Sequence, residues 1–160
     1  MPRRNKRRLT DSFRDALRGI WLSFLSERNM RIHGLACGYV VFFALKMGVS
    51  REELACLLLA MGMVTAAEAL NTSVEKLCDF SEPRRNEKIG RVKDIAAGGV
   101  LFSALFAALA GCTVLLRPAL WPLVLDIACT PWKLALFLAT LVGSALLVFA
   151  IPQKSDGEGG

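Results

Sequence analysis

Five polar residues interrupt a run that is otherwise apolar. Glu68, Asn71, Thr72, Glu75 and Asp79 follow one another at i, i+3, i+4, i+7 and i+11. On a helix they make one stripe, with Leu70 and Val74 on the opposite side. An ionisable group inside a membrane-spanning run is costly and is by default functional. Such a stripe must face a protein interior or a wet cleft. Glu68 and Glu75 are separated by about 10.5 Å along the helix axis, too far for both to hold one ion directly. The spacing suits a division of labour, with one carboxylate as a base and the other as a ligand to a hard cation. Oxygen ligands of this kind suit Mg²⁺, which takes one or two carboxylates plus substrate phosphates. The stretch EPRRNEKIGRVKD follows, with Arg84, Arg85, Lys88, Arg91 and Lys93 opposed by Glu82, Glu87 and Asp94. Basic residues at an interface hold phosphates or anionic headgroups. Positive-inside anchoring accounts for most of them equally well, but not for Glu68 or Asn71. Two chemistries fit these residues: phosphoryl transfer to a membrane alcohol, and a proton-coupled carrier that uses Glu68. The chain has neither a P-loop nor the protein-kinase signature set.

The elements that must position this stripe are membrane helices. The 160 residues leave room for one domain; 54% are hydrophobic and 21% charged, and the net charge is +6. Mean hydropathy is +0.43, a value that a soluble domain of this size rarely reaches. A greasy and basic chain points to an integral membrane protein with basic cytoplasmic ends, and against a soluble nucleic-acid binder or a disordered chain. Four apolar segments, 34–49, 54–74, 95–116 and 134–151, approach or meet the roughly 17–25 residues that a span requires. Before them, Phe13, Ala16, Leu17, Ile20, Trp21, Phe24 and Leu25 fall on one face of an amphipathic helix, which predicts a helix lying in the membrane interface. The basic start MPRRNKRRLTDSF lacks the apolar core and cleavage site of a signal peptide.

Lys and Arg divide sixteen to four. One side holds Arg3, Arg4, Lys6, Arg7, Arg8, Arg14, Arg18, Arg28, Arg31, Lys76, Arg84, Arg85, Lys88, Arg91, Lys93 and Lys154; the other holds Lys46, Arg51, Arg117 and Lys133. The first side is expected to be cytoplasmic, with both termini, and Trp121 and Trp132 to sit near the outer interface. In the third span Gly99, Ser103, Ala107 and Gly111 make a small-residue stripe, suited equally to packing within the chain and to an oligomer contact. The five cysteines form no CxxC pair and His33 is the single histidine, so zinc-type spacing is absent and a disulfide framework is not expected. The expected organisation is a basic arm with an interfacial helix (1–33), a three-span core (34–116), an outer loop and fourth span (117–151) and a disordered tail (152–160). The fold class is all-α integral membrane.

The stretches FRDALRGI, SERNMRIH, EALNTSVEKLCD and KDIAAGGVL resemble the prokaryotic diacylglycerol kinase family of small membrane lipid kinases. ERNxRIH is more similar to the Gram-positive branch, whose members act as undecaprenol kinases. The resemblance implies a homotrimer of three-span protomers in the bacterial inner membrane, with sites shared between protomers and MgATP as phosphoryl donor. It gives Glu68 the part of catalytic base, with Asn71 in the active site. Glu27 and Glu75 become the Mg²⁺-bridging carboxylates. Lys93 and Asp94 match the KD pair at the nucleotide, and Arg8 matches a nucleotide-side arginine by spacing. Arg31 and Ala97 join Glu68 at the lipid substrate. Asp15 and Asn86 lie at nucleotide positions where relatives often carry an aromatic and a histidine. The fourth span exceeds the common three. The implied activity is ATP-dependent phosphorylation of a membrane lipid alcohol, undecaprenol first. Diacylglycerol is the alternative substrate, and a small transporter or structural membrane protein the alternative class. A carboxylate withdrawn from water suits the role of base, since it accepts a proton more readily than one in solvent.

Overall fold

The computed structural model describes residues 8–82, 84 and 86–150. Arg3, Arg4, Lys6 and Arg7 of the basic arm, Arg85 of the basic stretch, Ile151 of the fourth apolar run, and the expected disordered tail with Lys154 lie outside the described residues. Those described form six helices: α1 (Leu9–Ser26), α2 (Arg28–Met47), α3 (Arg51–Ser81), α4 (Glu87–Leu115), α5 (Leu120–Cys129) and α6 (Pro131–Phe149). Four of them, α2, α3, α4 and α6, are long and apolar enough to cross a membrane, so the chain is an all-α multi-pass membrane protein.

Local chemistry sets each boundary near the site. Helix α1 has no buried residue; Phe13, Leu17, Ile20 and Trp21 on its apolar face are all exposed, as an interfacial helix requires. A single extended residue, Glu27 (φ −112°, ψ 122°), separates α1 from α2. At the far end of α2, Gly48 adopts φ +64°. A side chain there would meet the Cβ clash of the left-handed region, so glycine closes the helix. Ser50 then opens α3 with a capping box: its hydroxyl accepts from the Glu53 N–H at 3.2 Å while the Glu53 carboxylate accepts from the Ser50 N–H at 2.9 Å. Asn86 opens α4 in a similar way, its side-chain oxygen accepting from the Lys88 N–H at 3.0 Å.

Helices α3 and α4 form a long antiparallel hairpin. An ion pair, Lys93–Asp79, ties it at one end and another, Arg117–Glu53, at the other. With 31 and 29 residues the two helices measure about 46 and 43 Å, against roughly 30 Å of hydrocarbon. Their polar ends therefore extend past the apolar layer. The sequence between the apolar runs 54–74 and 95–116 is therefore mostly helical, and only residues 82–86 separate α3 from α4. Polar helix ends remain helical because the hairpin partner carries the opposite charge, as at Lys93 and Asp79. The connection after α4, expected to be an outer loop, also contains the unexpected α5. Its Pro122 lies in the first turn, where a missing N–H costs little.

The core is small. Ala44, Leu57 and Val114 are buried together with Val40, Leu54 and Met61 around them, joining α2, α3 and α4 near the Gly48 end of α2. Helix α6 packs antiparallel along α2. Tyr39 Oη lies 3.1 Å from Ser144 Oγ, Phe137 meets the Tyr39 and Phe43 rings edge-on at 6.2 and 6.3 Å, and Arg31 reaches the Val148 carbonyl.

Candidate active site at the elbow of α1 and α2

The stripe on α3 faces inward. Glu68 is 2% exposed, and Asn71 and Thr72 are also buried; Glu75 is half-buried and Asp79 exposed. Leu70, on the other side of the helix, is exposed to the apolar surroundings. The burial gradient follows from helix length: Glu68 lies within the bundle, whereas Asp79 is near the end of a helix that outruns the hydrocarbon.

The start of α2 covers the stripe. The Asn29 side chain lies near the Glu68 carboxyl, with His33, Glu27 and Glu75 also close to it. The Asn71 amide donates to Glu75 Oε1 at 2.9 Å, which fixes that carboxylate beside the buried stripe. The Asn71 carbonyl oxygen is buried without a hydrogen-bond partner among the described residues. Lys93, half-buried on α4, pairs with Asp79 and feels the charge of Glu75. Glu27, Glu68, Asn71, Glu75 and Lys93 are thus grouped where the elbow, α3 and the start of α4 meet.

The remaining sequence-derived residues divide. Arg31 is 3% exposed, and its guanidinium donates to the carbonyls of Phe24 (3.3 Å), Leu25 (2.9 Å) and Val148 (3.3 Å). It therefore joins the end of α1 to the end of α6. Asn86 spends its side-chain oxygen on the α4 cap. Asp94 and Ala97 are exposed on α4, Asp15 is exposed on α1, and Arg8 is exposed just before α1. The structure places none of these four in contact with Glu68. Residues that the sequence did not single out for the site are Asn29, His33 and Asp79 as the Lys93 partner. The available signal for the first two was their spacing of four, which puts them on one face of α2.

The donor set fits Mg²⁺ as an ion carried with a nucleotide. Among the described residues no three His, Cys, Asp or Glu side chains stand together as a metal cage. Glu27 and Glu75 are half-buried carboxylates, and Mg²⁺ needs only one or two of these when phosphate and water oxygens complete its shell. All five cysteines are free thiols. Next to His33 a cavity of about 450 Å³ runs between α2, α3 and α4. Val64, one turn from Glu68, and Ala104, Ala107 and Gly111 line it. An apolar channel therefore ends one helical turn short of the buried carboxylate.

Fold and site together define a small helical membrane protein that sets a carboxylate cluster one helical turn from an apolar channel. The chain belongs to the prokaryotic diacylglycerol kinase family, whose profile matches residues 14–115. It is 34% identical over 110 residues to a protein of Synechocystis sp. named diacylglycerol kinase, covering 68% of this chain and 63% of the relative. It is 30% identical over 109 residues to a protein of Bacillus subtilis named undecaprenol kinase, covering 68% of this chain and 89% of the relative. The chain thus spans under two thirds of the first relative's length. No solved structure gives a significant match. The matched segment ends at the close of α4, so α5 and α6 lie beyond it.

Proposed function

We propose that this protein is a lipid kinase of the bacterial cytoplasmic membrane, which transfers the γ-phosphate of ATP to the hydroxyl of undecaprenol. The observation that carries this reading is Glu68, buried one helical turn beyond Val64 at the end of the apolar channel. A lipid alcohol whose tail occupies the channel presents its hydroxyl to Glu68. The carboxylate takes the proton as the alcohol oxygen bonds to the γ-phosphorus, and the bond to ADP breaks. Asn71 holds Glu75 in place for this step. Glu27 and Glu75 would hold Mg²⁺, which supplies charge neutralisation at the phosphates when bound. Lys93 shares its charge between Asp79 and the transferred group. The matched relative named undecaprenol kinase supports this substrate. The relative named diacylglycerol kinase supports diacylglycerol as a second one. Both fit the channel because both tails are apolar. The exposed apolar faces of α4, with Leu101, Phe102, Leu105 and Phe106 outward, suit assembly into a homotrimer in which neighbours complete the nucleotide site.

The test is label transfer from γ-labelled ATP to undecaprenol and to diacylglycerol, with the full chain in detergent and Mg²⁺. Label in undecaprenyl phosphate, exceeding that in phosphatidic acid, is the expected result. A folded protein that labels neither lipid would return Glu68 to the carrier reading.

A further inference from the structure

A second and larger cavity, about 620 Å³, lies on the other side of α2, between α2, α5 and α6. It falls within the range of small-molecule sites, roughly 300–1,000 Å³. It involves the two helices beyond the family segment. On α2 the stripe Gly34, Gly38, Phe42 and Lys46 forms one wall. The two glycines leave the space. A Cβ on Gly38 would meet nothing within 4 Å, whereas one on Gly34 would strike the Phe24 ring at 2.6 Å. Phe24 therefore closes the groove at the Gly34 end, and Gly38 opens its middle. The hydroxyls of Tyr39 and Ser144 satisfy each other on the wall, so the surface offered to an occupant is apolar.

The far end is different. Lys46, exposed at the end of α2, has no ionic partner among the described residues. Lys133 pairs with Asp126 at 2.6 Å and lies 5.6 Å from the Trp132 ring. The mouth thus carries two cations and one anion, a net positive charge. From Gly34 to Lys46 is about 18 Å, close to one leaflet of a roughly 30 Å hydrocarbon core with its headgroup level. An apolar slot one leaflet deep, closed below and cationic at the mouth, matches one kind of molecule. We infer that it seats an anionic phospholipid of the leaflet opposite the carboxylate cleft, with an acyl chain over Gly38 and its phosphate on Lys46. This lipid is not the reacting alcohol, since Lys46 is about 20 Å along α2 from His33, which adjoins Glu68. The inference is independent of the kinase reading.

Trp132 lines the groove and reports on it. The full chain with Trp21→Phe and Trp121→Phe, reconstituted in phosphatidylcholine vesicles, is titrated with acyl-brominated phosphatidylglycerol or acyl-brominated phosphatidylcholine. Quenching by the phosphatidylglycerol is expected to saturate at low mole fraction, and by the phosphatidylcholine to rise only in proportion to its content. Lys46→Ala is expected to move the phosphatidylglycerol midpoint up roughly fivefold, the scale of one lysine at an anionic surface. Gly38→Leu, with open space for its side chain, is expected to abolish the saturable phase. Superimposed curves for the two lipids, or a Lys46→Ala midpoint equal to the parent's, would overturn the inference. So would a folded Gly38→Leu variant that retains saturable quenching. If Gly38→Leu does not insert, the Lys46→Ala midpoint decides. Absence of quenching by either lipid, with Gly38→Cys cross-linking between copies, would assign the groove to a second copy instead.

Discussion

Glu68 is nearly fully buried, yet it is surrounded by polar groups: Asn29, His33, Glu27 and Glu75. A buried carboxylate with no partner would be a large cost to folding, so this surround is what makes the position tolerable. Glu68→Gln keeps the shape and the hydrogen-bonding capacity toward neighbours such as Asn29 but removes the base. It is expected to leave secondary structure and assembly unchanged and to lower turnover by at least about 10²-fold. Near-normal turnover in the purified variant would take Glu68 out of the proposed mechanism. The carboxylates on either side are expected to behave differently. Glu27→Ala and Glu75→Ala should each raise the Mg²⁺ concentration for half-maximal activity, and Asn71→Ala should do so to a smaller degree because it releases Glu75. Mg²⁺ titrations that overlay the parent's would remove the metal assignment. The polar stripe was legible from spacing because a helix period of 3.6 residues fixes which side chains share a face. The Lys93–Asp79 pair was not, since it depends on how α3 and α4 meet across a turn. The hydrogen bonds of Arg31 were illegible for the same reason: its partners come from α1 and from a carbonyl 117 positions along the chain.

The elbow at Glu27 is held by the elements around it. α1 ends where the Glu27 N–H donates to the Ser23 carbonyl at 3.0 Å, and α2 starts one residue later. The guanidinium of Arg31 bonds the last carbonyls of α1 and the Val148 carbonyl of α6, while Arg28 lies 5.9 Å from the Phe149 ring. Hydrogen bonds from a charged group contribute roughly 1.5–3 kcal/mol each, and the last four carbonyls of a helix have no intrahelical N–H to accept from. Arg31→Ala is therefore expected to lower the thermal midpoint clearly and to raise KM for MgATP more than it lowers kcat, through a loosened Glu27. Were Arg31 instead a direct lipid contact, the same change would raise the lipid KM at nearly unaltered stability. Paired thermal melts and two-substrate kinetics separate the cases. The channel between α2, α3 and α4 gives the complementary expectation. Ala104→Phe narrows the apolar passage and should raise the lipid KM severalfold with little effect on MgATP; equal effects on both would mean the channel does not carry the tail. The apolar runs located α2, α3, α4 and α6, because length and composition alone identify a span. They did not reveal α5, whose ten residues are too few to cross and whose stretch is broken by prolines. Nor did they reveal how far α3 and α4 continue into polar sequence, because hydropathy marks where a helix leaves lipid, not where it ends.

At the scale of the whole molecule, sidedness is the property that sequence and structure address by separate routes. The excess of Lys and Arg puts the arm before α2 and the turn between α3 and α4 on one side, expected to be cytoplasmic. The proposed use of ATP requires Glu27, Glu75 and Lys93 to face that side too. Packing then constrains α6. Its contacts with α2 run in opposite order along the two helices: Phe43 with Phe137, Tyr39 with Ser144, and Arg31 with Val148. Only an antiparallel crossing gives that order. The end of α6 therefore lies level with the elbow that carries Glu27, and an α6 lying flat against the outer face would break all three contacts. A reporter active only in the cytoplasm, fused after Gly160, is expected to be active. A second fusion in the connection between α4 and α5, at Arg117, is expected to be inactive. An inactive but expressed fusion after Gly160 would mean that α6 does not cross. Inversion of both results would mean that the whole bundle inserts the other way, with the carboxylate cleft facing away from the nucleotide pool. In that case the packing would stand and the proposed kinase activity would not.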